Sequence, residues 1–252
     1  MARAWRRGRG VRRAALLSLA AALLWPAPDA PAQAVSQILS ARYADPTTRY
    51  AHGVLGDEIE YGTLELTLPG EVTRRFTLDP SLVFEDVAPR LSDLDDDGAP
   101  EVIVVESHRS RGARLAVWNA EGRITATPAI GQAFRWLAPL GAADLDGDGR
   151  VEIAYVDRPH LAKTLRIWRY DPAARTLSAV AQSPGVSNHR IGWAHIPGGL
   201  RDCGTGPEMI LADADWQSVL ALRLTKSGQI TRRGLGPYLG PDSLDAALAA
   251  CD

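Results

Sequence analysis

Asp93-Leu-Asp95-Asp-Asp97-Gly98-Ala99-Pro-Glu101-Val-Ile-Val-Val105 is an acidic loop that runs straight into an apolar, β-branched stretch. It recurs as Asp144-Leu-Asp146-Gly-Asp148-Gly149-Arg150-Val-Glu152-Ile-Ala-Tyr-Val156, 51 positions further on. The surroundings repeat too. Phe84-Glu-Asp-Val-Ala-Pro89 precedes the first loop and Phe134-Arg-Trp-Leu-Ala-Pro139 the second, while Trp118 and Trp168 follow at matching places. Self-similarity at a period near 50 residues means one structural unit used more than once.

Two weaker copies flank the strong pair. Downstream, Ile191-Gly-Trp193-Ala-His-Ile-Pro197 leads to a degraded turn at Asp202, then Pro207-Glu208-Met-Ile-Leu211. Upstream, Leu64, Leu66 and Leu68 alternate with polar residues, the period-two signal of a half-buried strand. Each copy reads as about four short strands punctuated by turn residues such as Gly122, Pro172 and Gly228. Such units are the signature of propeller blades. The sequence therefore predicts an all-β, propeller-like array of about four four-stranded blades, small or incomplete. The repeats fall near 50–83, 84–133, 134–190 and 191–240, within a domain spanning residues 35–252.

The loops suggest a hard cation. Asp93, Asp95, Asp97 and Glu101 stand at positions 1, 3, 5 and 9, and Asp144, Asp146, Asp148 and Glu152 repeat that spacing. Calcium takes six to eight oxygens, which carboxylates on alternate residues of a tight turn can supply. Gly98 and Gly149 permit the bend, and the position-7 carbonyls of Ala99 and Arg150 are natural backbone ligands. An EF-hand shares the first half of this pattern but needs a glutamate at position 12 and flanking helices. Position 12 is Val104 or Tyr155, inside a strand-like run. Two structural Ca²⁺ sites, each clamping the first two strands of a blade, are expected. A solvated acidic turn is the plainer alternative, disfavoured by the mutual repulsion of so many carboxylates.

The Asp-x-Asp-x-Asp-Gly-x-x-acid loop followed by a hydrophobic strand resembles the FG-GAP/VCBS repeat of integrin-α-type β-propellers. That resemblance implies calcium loops between the first and second strands of each blade, and the eight carboxylates above as ligands. The chain departs from the family in three ways. Its Phe-Gly and Gly-Ala-Pro signatures are blurred, it is too short for seven blades, and its last copy has Leu200 and Gly204 where carboxylates belong. Asp202 and Glu208 alone should hold no ion.

Residues 1–34 read as a signal peptide: six arginines, an apolar run from Ala14 to Trp25, and an Ala32-Gln33-Ala34 cleavage site. A secreted or periplasmic protein with no membrane span after cleavage is expected. Its removal leaves 22 basic against 29 acidic residues, a net charge near −7, with no basic cluster to favour nucleic acid. In an oxidising compartment Cys203 and Cys251, the two cysteines, should pair.

No nucleophile elbow, phosphate loop or His/Cys metal spacing is present, so no catalytic residue is assigned. Trp136, His189, Arg190 and Trp193 form a candidate ligand face, although a histidine bonded to backbone is the plainer reading of His189. The expected function is a non-catalytic binding or scaffold module for a protein or glycan. A polysaccharide-acting secreted enzyme, or a subunit completing a propeller with a partner chain, are the alternatives. An acid pair outside the loops with raised pKa would favour the enzyme.

Overall fold

A computed structural model describes residues 37–251. The leader expected over residues 1–34 lies outside them. Among the described residues the chain is built of antiparallel strands with one helix of eight residues. No helix there is long and apolar enough to cross a membrane.

The first sheet has eight strands: β1 (Ser40–Thr47), β2 (Glu60–Leu68), β3 (Val72–Thr77), β4 (Leu82–Phe84), β5 (Arg90–Ser92), β6 (Glu101–His108), β7 (Gly112–Asn119) and β8 (Gly122–Ala126). The second has four, β9 (Leu137–Ala143), β10 (Glu152–Asp157), β11 (Thr164–Asp171) and β12 (Thr176–Pro184). The third has five, β13 (Val186–Ser187), β14 (Gly199–Asp202), β15 (Pro207–Asp213), β16 (Ser218–Leu224) and β17 (Ile230–Pro237).

Strand count per unit is where the structure differs from the expectation of separate four-stranded blades. β3 covers β2 only from Thr63 to Leu68, which leaves the start of β2 free to bond elsewhere. Tyr61 uses that freedom to pair with Phe84 of β4, so β1–β3 is joined edgewise to β4–β8. β4 and β5 both lie along the same side of β6, as one strand interrupted at 85–89.

Period-two patterning decides the packing. Leu64, Leu66 and Leu68 of β2 meet Val102, Val104, Ala116 and Trp118 of β6 and β7. The opposite faces of β6 and β7 (Ile103, Val105, Leu115 and Val117) meet Leu137, Ile153 and Tyr155 of the second sheet. Ala154, Val156, Leu165 and Ile167 in turn meet Met209, Leu211, Leu222 and Leu224 of the third. Strands such as β6 and β10 are thus buried on both faces, which is why Glu-Val-Ile-Val-Val and Glu-Ile-Ala-Tyr-Val read as nearly continuous apolar runs. Each fully buried Leu, Ile or Val contributes roughly 1.5–3 kcal/mol.

The two ends of the stack are finished differently. The outer face of β2 is polar: Glu65 pairs with Arg42 and Arg75, and Thr63 donates to Asp45. At the other end, Ile210, Ala212, Val219 and Ala221 are covered by α1 (Asp242–Ala249) through Leu244, Ala247 and Leu248. Cys203 and Cys251 form the disulfide that anchors this helix, with Cα atoms 5.3 Å apart and 48 positions between them in sequence. A bond of that kind fits an oxidising compartment.

Candidate metal centre

Strand register fixes the acidic loops. Ser92 pairs with Glu101 across β5 and β6, and Ala143 with Glu152 across β9 and β10, so residues 93–100 and 144–151 are equivalent turns at one edge of the stack. In each, the first aspartate binds the loop's own backbone. Asp93 accepts from the amides of Asp97 and Gly98 at 3.3 and 2.9 Å. Asp144 accepts from Gly147, Asp148 and Gly149 at 2.8, 3.0 and 2.9 Å. Gly98 and Gly149 have φ of 85° and 87°, the left-handed conformation that glycine adopts without penalty. The position-9 glutamate closes the loop from the strand side. Glu101 accepts from the Leu94 amide at 3.0 Å, and Glu152 from that of Leu145 at 2.9 Å.

This scaffolding brings one carboxylate oxygen each of Asp93, Asp95 and Glu101 within 4.8 Å of one another, and likewise for Asp144, Asp146 and Glu152. Both groups could hold a metal ion. The position-5 aspartates lie outside these groups. Asp97 accepts from the Ala99 amide at 2.8 Å, and Asp148 from Arg150 through both its amide and its guanidinium. The amides of Ala99 and Arg150 are thereby tied to the loop, whose backbone includes the carbonyls assigned as ligands.

The donor chemistry suits a hard divalent ion, being all carboxylate and carbonyl oxygen. The first loop adds a sharper observation: Asp95 Oδ1 is buried and without a hydrogen-bond partner. A buried carboxylate oxygen left so is costly unless a cation completes it. Burial, followed by the neighbouring charges of Asp97 and Asp93, raises the pKa of Asp95. Burial pushes Glu101 up to about 7, with Asp95 and Asp97 adding to it. The loop opens on a cleft lined by Asp95, Asp97, Glu101, Asn119, Tyr170 and Arg175.

Residues 93–155 match the family model described as an FG-GAP-like repeat. The repeat is of the FG-GAP type. The match begins at the first loop aspartate and ends in β10, so it takes in both acidic loops within 63 of the 252 residues. A search of curated proteins found no match to the chain. The FG-GAP-type pattern degrades beyond β12 for a reason the register makes plain. Arg201 pairs with Glu208, so only residues 202–207 intervene, two fewer than in the acidic loops. Asp202, not Leu200, is the counterpart of Asp93 and Asp144. It accepts from the Gly204 and Gly206 amides at 2.8 and 3.1 Å, while Leu200 lies in β14.

The remaining singled-out residues gather at the opposite edge, reached by the β6–β7, β10–β11 and β15–β16 turns. Trp136 is buried at 2 % exposure and donates from Nε1 to the Glu85 carbonyl at 2.8 Å, which makes it core. His189 is fully buried and donates from Nε2 to the Trp193 carbonyl at 2.9 Å. Its Nδ1 must then accept from His160 Nε2, at 3.0 Å. Burial pushes both histidines down to about 4 and keeps them neutral. Trp193 stacks on His195 and meets Trp216 edge-on, and the exposed Arg190 guanidinium lies 4.6 Å from the Trp216 ring centre. Two adjoining clefts share His160 and Ile191. One adds Lys163, Arg190 and Trp216, the other Phe134 and Leu161. His160 and Trp216 escaped sequence reasoning because no short spacing joins them to His189; the signal is their equivalent placement in turns that leave the second strand of each repeat.

Proposed function

We propose that the protein is a secreted or periplasmic, non-catalytic binding module with an incomplete-propeller architecture, stabilised by calcium at the acidic edge and presenting its aromatic edge to a protein or glycan. The observation that carries the reading is the partnerless Asp95 Oδ1 beside Asp93 and Glu101, in a stretch that matches an FG-GAP-like repeat. Asp93, Asp95 and Glu101 would hold the ion, which supplies the positive charge that lets the loop stay folded while fully ionised.

The aromatic edge supports the binding half. Ile191, Leu161 and Phe134 are exposed at 69, 63 and 46 %, unusual for large apolar side chains grouped around one pair of clefts. Partly exposed Trp193 and Trp216 offer flat rings of the kind that sugars and apolar side chains stack on.

One observation favours the enzyme alternative. Burial and the nearby Glu85 push Glu60 up to about 9, and burial raises Glu85 as well. Weighing against it, Glu60 and Glu85 are 2 % and 0 % exposed, and neither is among the residues lining the two aromatic-edge clefts. Glu85 is also engaged by His52 at 2.5 Å and by Ser107.

Melting with excess calcium and then with chelator tests the metal half; an unmoved midpoint removes it. A glycan array and co-purification with wild type and Trp193→Ala test the binding half. Loss of a bound species in the variant supports the aromatic edge, and undiminished binding moves the contact elsewhere.

A further inference from the structure

The two acidic loops are not equivalent, and the difference lies one strand away. The third strand of each repeat places a residue opposite the loop glutamate. In the second sheet Glu152 pairs with Arg169. In the first sheet the register, one step beyond Val102–Trp118, places Asn119 opposite Glu101. One step beyond Met209–Leu222, it places Arg223 opposite Glu208.

Arg169 uses its position fully. Its guanidinium bonds Glu152, reaches Asp146 Oδ2 at 2.7 Å and approaches Asp148 Oδ2 at 3.2 Å. Asp146 is the position-3 aspartate, the counterpart of Asp95. Where Asp95 has a buried oxygen with no partner, Asp146 has an arginine. No ion pair forms at Asp93, Asp95, Asp97 or Glu101 among the described residues, although Arg175 lines the cleft beside them. In the third sheet, whose turn has lost two residues, Glu208 is held by Arg201, Arg223 and Arg233.

We propose that Arg169 is a tethered cation that occupies the loop at 144–152 in place of a metal, so that the chain binds one divalent ion, at 93–101, and admits a second only when Arg169 is displaced. The proposal rests on the calcium reading above and concerns which loop the ion enters. A guanidinium on the neighbouring strand competes at a high effective concentration. An incoming ion must break its charge-assisted bonds to three carboxylates, and the side chain, 16 % exposed, has little free solvent to retreat into. At 93–101 the ion displaces nothing. Along the stack, an ion site with no arginine gives way to donors filled by Arg169, with Arg150 also on Asp148, then to a turn with no ion geometry and three arginines.

Calorimetric titration of the purified protein with calcium chloride tests this, with terbium luminescence as a second readout because Tyr170 lines the first cleft. Wild type should take up one ion, with any second at least ten-fold weaker. Arg169→Gln should take up two of comparable affinity, and its melting point should fall in chelator yet gain more from calcium than wild type does. Asn119→Arg should lose the first site. Asn119→Gln, which also removes the side chain accepting the Glu121 and Gly122 amides, should keep it.

Two equivalent ions in wild type, unchanged in Arg169→Gln, overturn the proposal and leave the calcium reading standing. No uptake by any variant at millimolar calcium overturns both. Should Arg169→Gln fail to fold even in calcium, Asn119→Arg decides: an unweakened first site in that variant overturns the proposal.

Discussion

Glu101 and Glu208 stand at the start of β6 and at the second position of β15 in equivalent repeats, and both are nearly buried, at 6 and 7 % exposure. Around Glu101 the flanking register positions hold Ser92 and Asn119, and burial drives its pKa up to about 7. Around Glu208 they hold Arg201 and Arg223. Burial alone would raise this carboxyl, but Arg201, Arg233 and Arg223 outweigh it and hold it below its ordinary range. The same corner is thus left without a cation of the chain in one repeat, as the proposed ion site requires, and is balanced from inside the chain in the other. An ion is exchangeable; an arginine is permanent and can be shared. Arg201 also donates to the Ala247 and Ala250 carbonyls, so the residue that neutralises Glu208 also anchors α1. In the third sheet, which no further sheet covers among the described residues, one side chain thus serves both the charge balance, shared with Arg223 and Arg233, and the cap.

The largest effect should come from breaking the terminal solution covalently. Cys251→Ser opens a loop of 48 residues and, on the chain-entropy model, should cost about 4 kcal/mol in chemical denaturation. A loss under about 1 kcal/mol would mean that α1 holds without its tether. Next comes Arg201→Ala. With its side chain 6 % exposed, this variant strips a buried carboxylate of its nearest partner, and two carbonyls at the end of α1 lose a donor. Breaking a buried pair costs about 3–5 kcal/mol, and the lower end is expected because Arg223 and Arg233 remain. The matched change at the first corner, Ser92→Ala, should stay within about 0.5 kcal/mol. Similar losses for both would dissolve the contrast.

Much of this was legible in the residues, and what was not has a common cause. The spacing of Asp93, Asp95 and Glu101 gave the loop because all its donors lie within nine consecutive residues. Alternation at Leu64, Leu66 and Leu68 gave a strand because burial on one face is a local pattern. The pairing of Cys203 with Cys251 needed only a count. What escaped depends on register between strands. The two-residue deletion after Asp202 is invisible without pairing Arg201 to Glu208, so an ungapped reading set Leu200 in the loop. Arg169 carries no local signal, because its neighbours are set by β10 and not by its own sequence. Trp136, singled out because it precedes a loop, and His189, singled out for its polar neighbours, are both buried at the floor of the two clefts, Trp136 packed into the core and His189 bonded to backbone as its plainer reading had it.

The exchangeable corner should respond to calcium and the permanent one should not. At a free concentration ten times the dissociation constant, one site adds about 1.4 kcal/mol. Asp95→Asn should abolish that gain in a melt. Asp202→Asn, which changes the terminal turn's counterpart of Asp93, should leave it intact. A calcium response surviving Asp95→Asn would move the ion away from the first loop.

Proton linkage gives the smallest and most selective probe of the contrast. The folded-state pKa of Glu208 lies below its unfolded value near 4.5, so its arginine contacts contribute in full above pH 4.5. As pH falls through the lowered folded value, the unfolded chain takes up the proton first and that contribution is lost. Glu208→Gln should therefore lower stability at neutral pH and flatten the decline below pH 4.5, as read by urea midpoints at successive pH values. The flattening has to appear in calcium and in chelator alike, since arginines hold the carboxylate at this corner. An acid limb that steepens in Glu208→Gln, or that depends on calcium, would mean the arginines hold Glu208 less completely than their contacts imply, and the distinction between the two corners would fail.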